Sequence, residues 1–353
     1  MSLLKNSTIV IAGVVVSNLL AYAFHFFAGR MLGPEDYGEF GALMALYLIV
    51  ALPVASLAYA ISKFTAKFNT GNEFGKIALL RKKMQNDVLI FSGVMLILVI
   101  LFSRIIANFL NIASAISIII VGITLVFALL LPVNNGILLG MKKFRVLSMN
   151  AIIEAFARLV LLLVFLYLGY SVNGAILAYG VAYLVAFLCT FPYLKEIRGA
   201  DISVEKIEVR PVYKFVFQVL LVNVIIQSIL NIPSLFIKHF YSSEFTGYWT
   251  AALNIARISL FITGAISFVM FPEIAGEEVV HAKKKIFKRA ALLVLIASSG
   301  MAVIFFAIPQ LLIGILYGSQ YLGAVKILEW MGIAMIFMGL LQLYANYFLA
   351  KLK

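Results

Sequence analysis

Charge and cysteine are what this sequence has least of. Only 12% of its 353 residues are charged, against about a quarter in soluble domains. The single cysteine, Cys189, has no partner for an internal disulfide and cannot build a cysteine-rich metal site. Three histidines, His25, His239 and His281, lie too far apart in sequence to suggest a metal centre. No GxxxxGK[ST] phosphate loop occurs, so nothing points to ATP hydrolysis. No Ser-His-Asp set or acid pair stands in a recognisable catalytic context. No metal, cofactor or enzymatic activity is therefore expected, and no soluble domain or low-complexity segment interrupts the chain.

What fills the chain instead is apolar. Hydrophobic residues make up 64% of it, and runs of about 20 recur along its length. Each is long enough to cross a hydrocarbon core about 30 Å thick. The pattern predicts an all-α integral membrane protein with about ten transmembrane helices. These fall roughly at 6–29, 38–62, 87–109, 114–139, 148–169, 172–194, 213–238, 246–270, 289–308 and 323–349. The N-terminal apolar run continues to about Ala28 without an evident cleavage site, so it reads as the first span rather than a signal peptide.

The net charge of +13 would suggest nucleic acid in a soluble protein. Here the lysines and arginines gather in the longer links 63–86, 140–147, 195–212 and 271–288 and at the termini. That is the positive-inside pattern, and it predicts both termini in the cytoplasm and a cell-membrane location. The basic run HAKKKIFKR at 281–289 reads as a topology anchor on anionic lipid heads. Membrane lipids are thus expected partners and nucleic acid is not.

The chain also repeats itself. Set RMLGPEDYGEFGAL (30–43) over HFYSSEFTGYWTAA (239–252), an offset of 209 residues. Glu35 then falls on Glu244, Gly38 on Gly247, Phe40 on Trp249 and Ala42 on Ala251. Upstream, Asn18 falls on Gln227 and His25 on Ser234. A second alignment, 124–143 over 334–353, has an offset of 210. A period this long marks a structural repeat, and a six-span unit keeps both copies in one orientation, as parallel transporter repeats are. The predicted organisation is a six-span lobe at 1–195, a cytoplasmic linker at 196–212 and a four-span lobe at 213–353. The counterparts of spans five and six are missing from the second lobe, so it reads as incomplete.

Charged and polar residues inside the spans are the site candidates. Gly33-Pro34 is a turn signal. Glu35 and Asp36 suit the positive N-terminal end of the following helix. Gly38 and Gly41 allow close helix approach. The turn reads either as a charged cap or, with Glu244 and Gly247, as part of a gate. Arg30 either snorkels to the outer interface or points at an anionic head group.

Arg158 lies about ten residues into its span, roughly 15 Å deep. A mid-bilayer arginine costs at least about 2.5–3.5 kcal/mol. Glu154 stands one turn earlier, so the two either pair with each other or face a cavity. Arg257 has no acid at i±3 or i±4 and needs a partner elsewhere. Asn223, Gln227 and Asn231 share a helix face with Lys238, as Asn18 does with His25. They read as interhelical hydrogen bonds or as a cavity lining.

GRMLGPEDYGEFGAL following a first span resembles the first extracytoplasmic turn of the polysaccharide and O-antigen flippases. These belong to the multidrug/oligosaccharidyl-lipid/polysaccharide exporter superfamily. The resemblance covers essentially the whole chain, although that family usually has twelve or fourteen spans. It implies a flippase that moves a lipid-linked oligosaccharide or polysaccharide precursor across the membrane by alternating access. It also implies a lipid-linked glycan as substrate and admits glycan-assembly proteins as partners. A multidrug or cation antiporter of the same superfamily calls for an acid in the first span, which holds only His25. A membrane glycosyltransferase calls for a large charged outer loop, and 309–322 carries no charge. A non-transporting membrane fragment is the remaining alternative.

Overall fold

The computed structural model describes residues 2–199, 207–276 and 279–351, and among them there are helices and turns but no strand. Within lipid every backbone polar group must find an internal partner, which the helix supplies. The long elements are α1 (Ser2–Val50), α2 (Leu52–Thr70), α3 (Phe74–Phe109), α4 (Ala115–Gly140), α5 (Phe144–Tyr167) and α6 (Ser171–Thr190). A 3₁₀ turn (Phe191–Leu194) and the short α7 (Lys195–Arg198) follow. Then come α8 (Arg210–Phe240), α9 (Ser243–Ala256), α10 (Ile258–Gly276), α11 (Val280–Ala307) and α12 (Pro309–Leu316). A second 3₁₀ turn (Ser319–Ala324) leads into α13 (Val325–Lys351).

Among the described residues, eight helical segments are long and apolar enough to cross a membrane. The first, Ala12–Val50, contains a break that divides it into two arms. Gly33 adopts φ 74° and ψ 173°, a region essentially reserved for glycine. Pro34 follows; it donates no amide hydrogen bond and is well placed at the start of the next helical arm. Helix α8 has 31 residues, but its apolar part is only Val224–Phe240.

Four helix ends are closed in the same way. The amide of residue 73 donates to the carbonyl of 68, 112 to 107, 143 to 138 and 170 to 165, at 2.9–3.0 Å. The residue before each donor is left-handed: Asn72, Asn111, Lys142 and Gly169. This Schellman closure satisfies carbonyls the helix itself leaves free. It turns the chain within a few residues, which suits helices that must fold straight back across a membrane.

The chain divides into two compact units. The first holds residues 1–32 and 42–240, the second 33–41 and 241–353. The repeat sets its boundary within 196–212, of which 200–206 lie outside the described residues. Compactness instead groups α8 with the first unit and the segment after Gly33 with the second. The core of the first unit joins α2, α3 and α4 through Ile61, Ile77, Leu80, Met84, Val133 and Ile137. Gly136 and Gly140 let α4 lie against α2: a Cβ at either would press on the backbone carbonyl of Ala58 or of Ser62. Such small-xxx-small spacing packs helices where lipid removes the hydrophobic drive. In the second unit Met270, Ile274, Val294, Leu343 and Tyr347 join α10, α11 and α13.

The break at Gly33 generates a direct expectation. Gly33→Ala forces a side chain into the glycine-only region and is expected to lower stability by about 1–3 kcal/mol. Gly93→Ala, inside α3 with open space around it, is expected to raise it by about 0.5–1 kcal/mol. Thermal unfolding in detergent, followed by circular dichroism, reads both.

Candidate functional site

In the second unit, the segment after Gly33 crosses the first turns of α9 backbone to backbone. A Cβ on Gly38 would overlap the carbonyl of Ser243 and approach the amide of Gly247. A Cβ on Gly247 would overlap the carbonyl of Pro34. In the repeat, Gly38 corresponds to Gly247 and Pro34 to Ser243. Each glycine therefore meets the counterpart of what the other glycine meets. Gly41 meets Thr250, which is its own counterpart. The two copies of one sequence segment thus lie face to face about a local pseudo-two-fold axis, running between 38 and 247 and between 41 and 250. Only residues without a side chain permit this approach.

Tyr37 fixes the crossing. Its side chain is fully buried among Tyr317, Tyr321 and Phe40, with ring centres 5.5–6.0 Å away. Asn254 Nδ2 donates to its hydroxyl at 2.9 Å, and the Tyr37 and Tyr317 hydroxyls share a bond of 3.2 Å. Burial pushes the Tyr317 hydroxyl up to about 12, so it stays protonated, while the nearby Arg257 charge acts in the opposite sense. Arg257 lies inside the membrane-span candidate Ser243–Ser267, as expected, at the one-residue interruption between α9 and α10. Asp36 is half-buried, and Glu35 and Glu244 are exposed. The Tyr248 hydroxyl donates to Glu244.

In the first unit, Arg158 and Glu154 pair on one face of α5, Nη1 to Oε1 at 3.2 Å. Their side chains are only 11% and 18% exposed. The guanidinium lies over Tyr179 at 4.6 Å and over Phe24 at 5.8 Å. Tyr47 and Tyr183 stack alongside with ring centres 6.3 Å apart. His25 is half-buried and meets the edge of Phe24 at 5.5 Å. Asn18 is half-buried on the same helix. Arg30 is exposed and lies 4.5 Å over the Phe26 ring of its own helix.

The polar face of α8 turns inward on itself. Asn231 is buried, and its Nδ2 donates to the Gln227 carbonyl and to Gln227 Oε1 at 2.8 and 3.2 Å. Lys238 is buried, with Nζ 3.5 Å from the Asn111 carbonyl. Asn111 Nδ2 donates to the His239 carbonyl at 2.8 Å, so the end of α8 clamps the α3–α4 turn. The side chain of Asn223 lies outside the described residues.

The tyrosines were not singled out by the sequence. A tyrosine in an apolar helix does signal a partner for its hydroxyl, and Tyr179 and Tyr183 share a face at i, i+4. Asn134 was missed as well. It accepts from Arg81 Nε at 3.0 Å and donates to Thr190 at 2.7 Å, tying α3, α4 and α6 together.

Known proteins share this architecture. A model of the family described as "Polysaccharide biosynthesis protein" matches residues 3–276. An uncharacterized membrane protein of Methanocaldococcus jannaschii is 29% identical over 187 residues, 52% of this chain and 43% of that protein. The match thus spans less than half the length of that relative. Among solved structures, an inward-facing multidrug resistance MATE family transporter of the MOP superfamily has a TM-score of 0.74. It shares 16% identity, with 97% of this chain and 87% of that one covered. The lipid II flippase MurJ in an inward closed conformation also scores 0.74, at 15% identity over 97% and 75%. A MOP superfamily transporter from Pyrococcus furiosus scores 0.66, at 16% identity over 98% and 84%. Identities this low carry the fold and nothing finer.

The crossing generates its own test. Gly38→Ala and Gly247→Ala each force a Cβ against backbone that cannot swing aside, an overpacking cost of about 1–3 kcal/mol. Both act on one contact, so the double variant is expected to cost less than the sum by at least about 0.5 kcal/mol. A double-mutant cycle on thermal unfolding measures that coupling.

Proposed function

The chain belongs to the polysaccharide biosynthesis protein family, and from that premise we propose that it is a membrane translocase. It moves a lipid-linked oligosaccharide or polysaccharide precursor across the cytoplasmic membrane by alternating access. The observation that carries this reading is the reciprocal contact at Gly38 and Gly247. Two repeat copies that meet about a local axis can separate and close again as equals; Gly38 and Gly247 place no side chain in the contact, and opening has to release Tyr37 from Asn254 and Tyr317.

The chemistry fits a pyrophosphate-sugar head group. Such a group cannot enter hydrocarbon without losing its hydration, so fixed arginines must replace it. Arg158 and Arg257 are the head-group contacts we favour, with His25 and the tyrosines around them offering hydrogen bonds and stacking faces to sugars. The polyprenyl tail stays in lipid. Gly33, Pro34, Glu35, Asp36, Gly38, Glu244 and Gly247 form the gate in this reading. The Gly33 break and the long α8 support ten crossings, and the basic links support cytoplasmic termini. A multidrug or cation antiporter would call for an acid in the first span, and residues 6–29 contain none.

The test uses proteoliposomes and a fluorescent lipid-pyrophosphate sugar read leaflet by leaflet. The unmodified chain is expected to move the probe, and Arg257→Ala to slow it. Glu35 and Glu244 are exposed repeat counterparts beside the crossing, so cysteines there do not enter the glycine contact. In a Cys189→Ser background, Glu35→Cys with Glu244→Cys, joined by a reducible bis-thiol cross-linker as a bridge, is expected to bring movement to background and to recover it on reduction. Movement no faster than in empty liposomes defeats the translocase reading. Full movement with the bridge closed defeats the gate.

A further inference from the structure

The buried pair on α5 is incompletely satisfied. Glu154 Oε1 and Arg158 Nε, both buried, have no hydrogen-bond partner although the two side chains lie 3.2 Å apart. Buried polar atoms in native proteins nearly always have partners, so each exception calls for a reason. The pair is held in place by aromatic faces: Tyr179 and Phe24 lie against the guanidinium. The titratable groups facing it are Tyr47 from α1, with His25 behind Phe24, and Tyr179 and Tyr183 from α6. Helix α4 carries no ionisable residue. Among these neighbours no second carboxylate and no second arginine stands.

A closed Glu–Arg pair is neutral as a whole and holds little attraction for an outside anion. Arg158 becomes available to one only when the Glu154 charge is removed. A proton does that without moving any helix. The guanidinium fork, with Nε still unsatisfied, matches the planar, bidentate geometry by which arginine grips phosphate oxygens.

We propose that Glu154 and Arg158 form a proton-linked phosphate site. A phosphate or pyrophosphate oxygen takes the Arg158 guanidinium while one Glu154 oxygen takes one proton from water, and both are released together as the pair closes. No other bond forms or breaks. The anion is either free in solution or carried as a lipid head group, and only the second source rests on the translocase reading.

Linkage fixes the sign. Binding that takes up a proton is tighter at lower pH, by about tenfold per pH unit for one proton.

The experiment uses the full chain in nanodiscs at pH 8, where a terminal phosphate, with its second pKa near 6, is already ionised. Inorganic pyrophosphate and farnesyl pyrophosphate are titrated separately in two buffers of different ionisation enthalpy, and the heat difference gives protons taken up per ligand. About one proton per bound ligand is expected. Glu154→Gln is expected to bind with no uptake and with an affinity unchanged between pH 7.5 and 8.5, where the terminal phosphate stays ionised. If that variant does not fold, Glu154→Gln with Arg158→Gln leaves no lone buried charge and is expected to lose binding and uptake together.

Uptake with inorganic pyrophosphate marks a free-anion site, and uptake with the farnesyl compound alone marks a lipid head-group site. Binding without proton uptake, uptake that persists in Glu154→Gln, or no binding of either compound overturns the proposal. A chain that fails here and still moves the lipid-linked sugar leaves the translocase reading standing. A chain that takes up the proton and moves no lipid overturns that reading alone.

Discussion

Two stretches of backbone in van der Waals contact, at Gly38 and Gly247, set the terms for the second unit. A membrane offers no hydrophobic drive between helices, so contact must come from close packing and hydrogen bonds. Glycine permits the first, and Tyr37, with Asn254 and Tyr317, supplies the second. The break at Gly33 separates the arm that makes this contact from the preceding arm of α1. Reciprocity follows from the repeat, because two copies of one segment facing each other bring the same small residue to the same place.

The first unit also packs on glycine, at Gly136 and Gly140. It is bound by side-chain networks that cross several helices, as Asn134 does between Arg81 and Thr190 and as Lys238 and Asn111 do between α8 and the α3–α4 turn. Breaking a buried ion pair by removing one member typically costs about 3–5 kcal/mol, so Glu154 and Arg158 are strongly coupled whatever else they do.

Helices, membrane class and family were legible because they depend on composition and on one motif. GRMLGPEDYGEFGAL carries the turn, the helix break and the family resemblance in a single stretch, and a weak repeat placed Gly38 over Gly247. What the sequence could not disclose was that these two glycines touch, since a repeat relates residues without bringing them together. The α8 stripe was legible as a face. Yet Asn231 spends its amide on Gln227 one turn away, and Lys238 on a neighbouring turn, because a polar group in lipid takes the first partner available. Buried tyrosines at helical spacing look like ordinary core, and only their hydroxyl partners distinguish them. Arg257 was legible inside a span because hydropathy runs through it, but the interruption of the helix at that residue was not.

The most direct measurement is the distance between spin labels placed on Glu35 and Glu244, two exposed repeat counterparts, by pulsed electron resonance in nanodiscs. Labels are introduced as cysteines in a Cys189→Ser background. The account predicts a short and a long population, with a lipid-pyrophosphate sugar changing their proportion. One narrow, short distance, unchanged by that ligand, would contradict it.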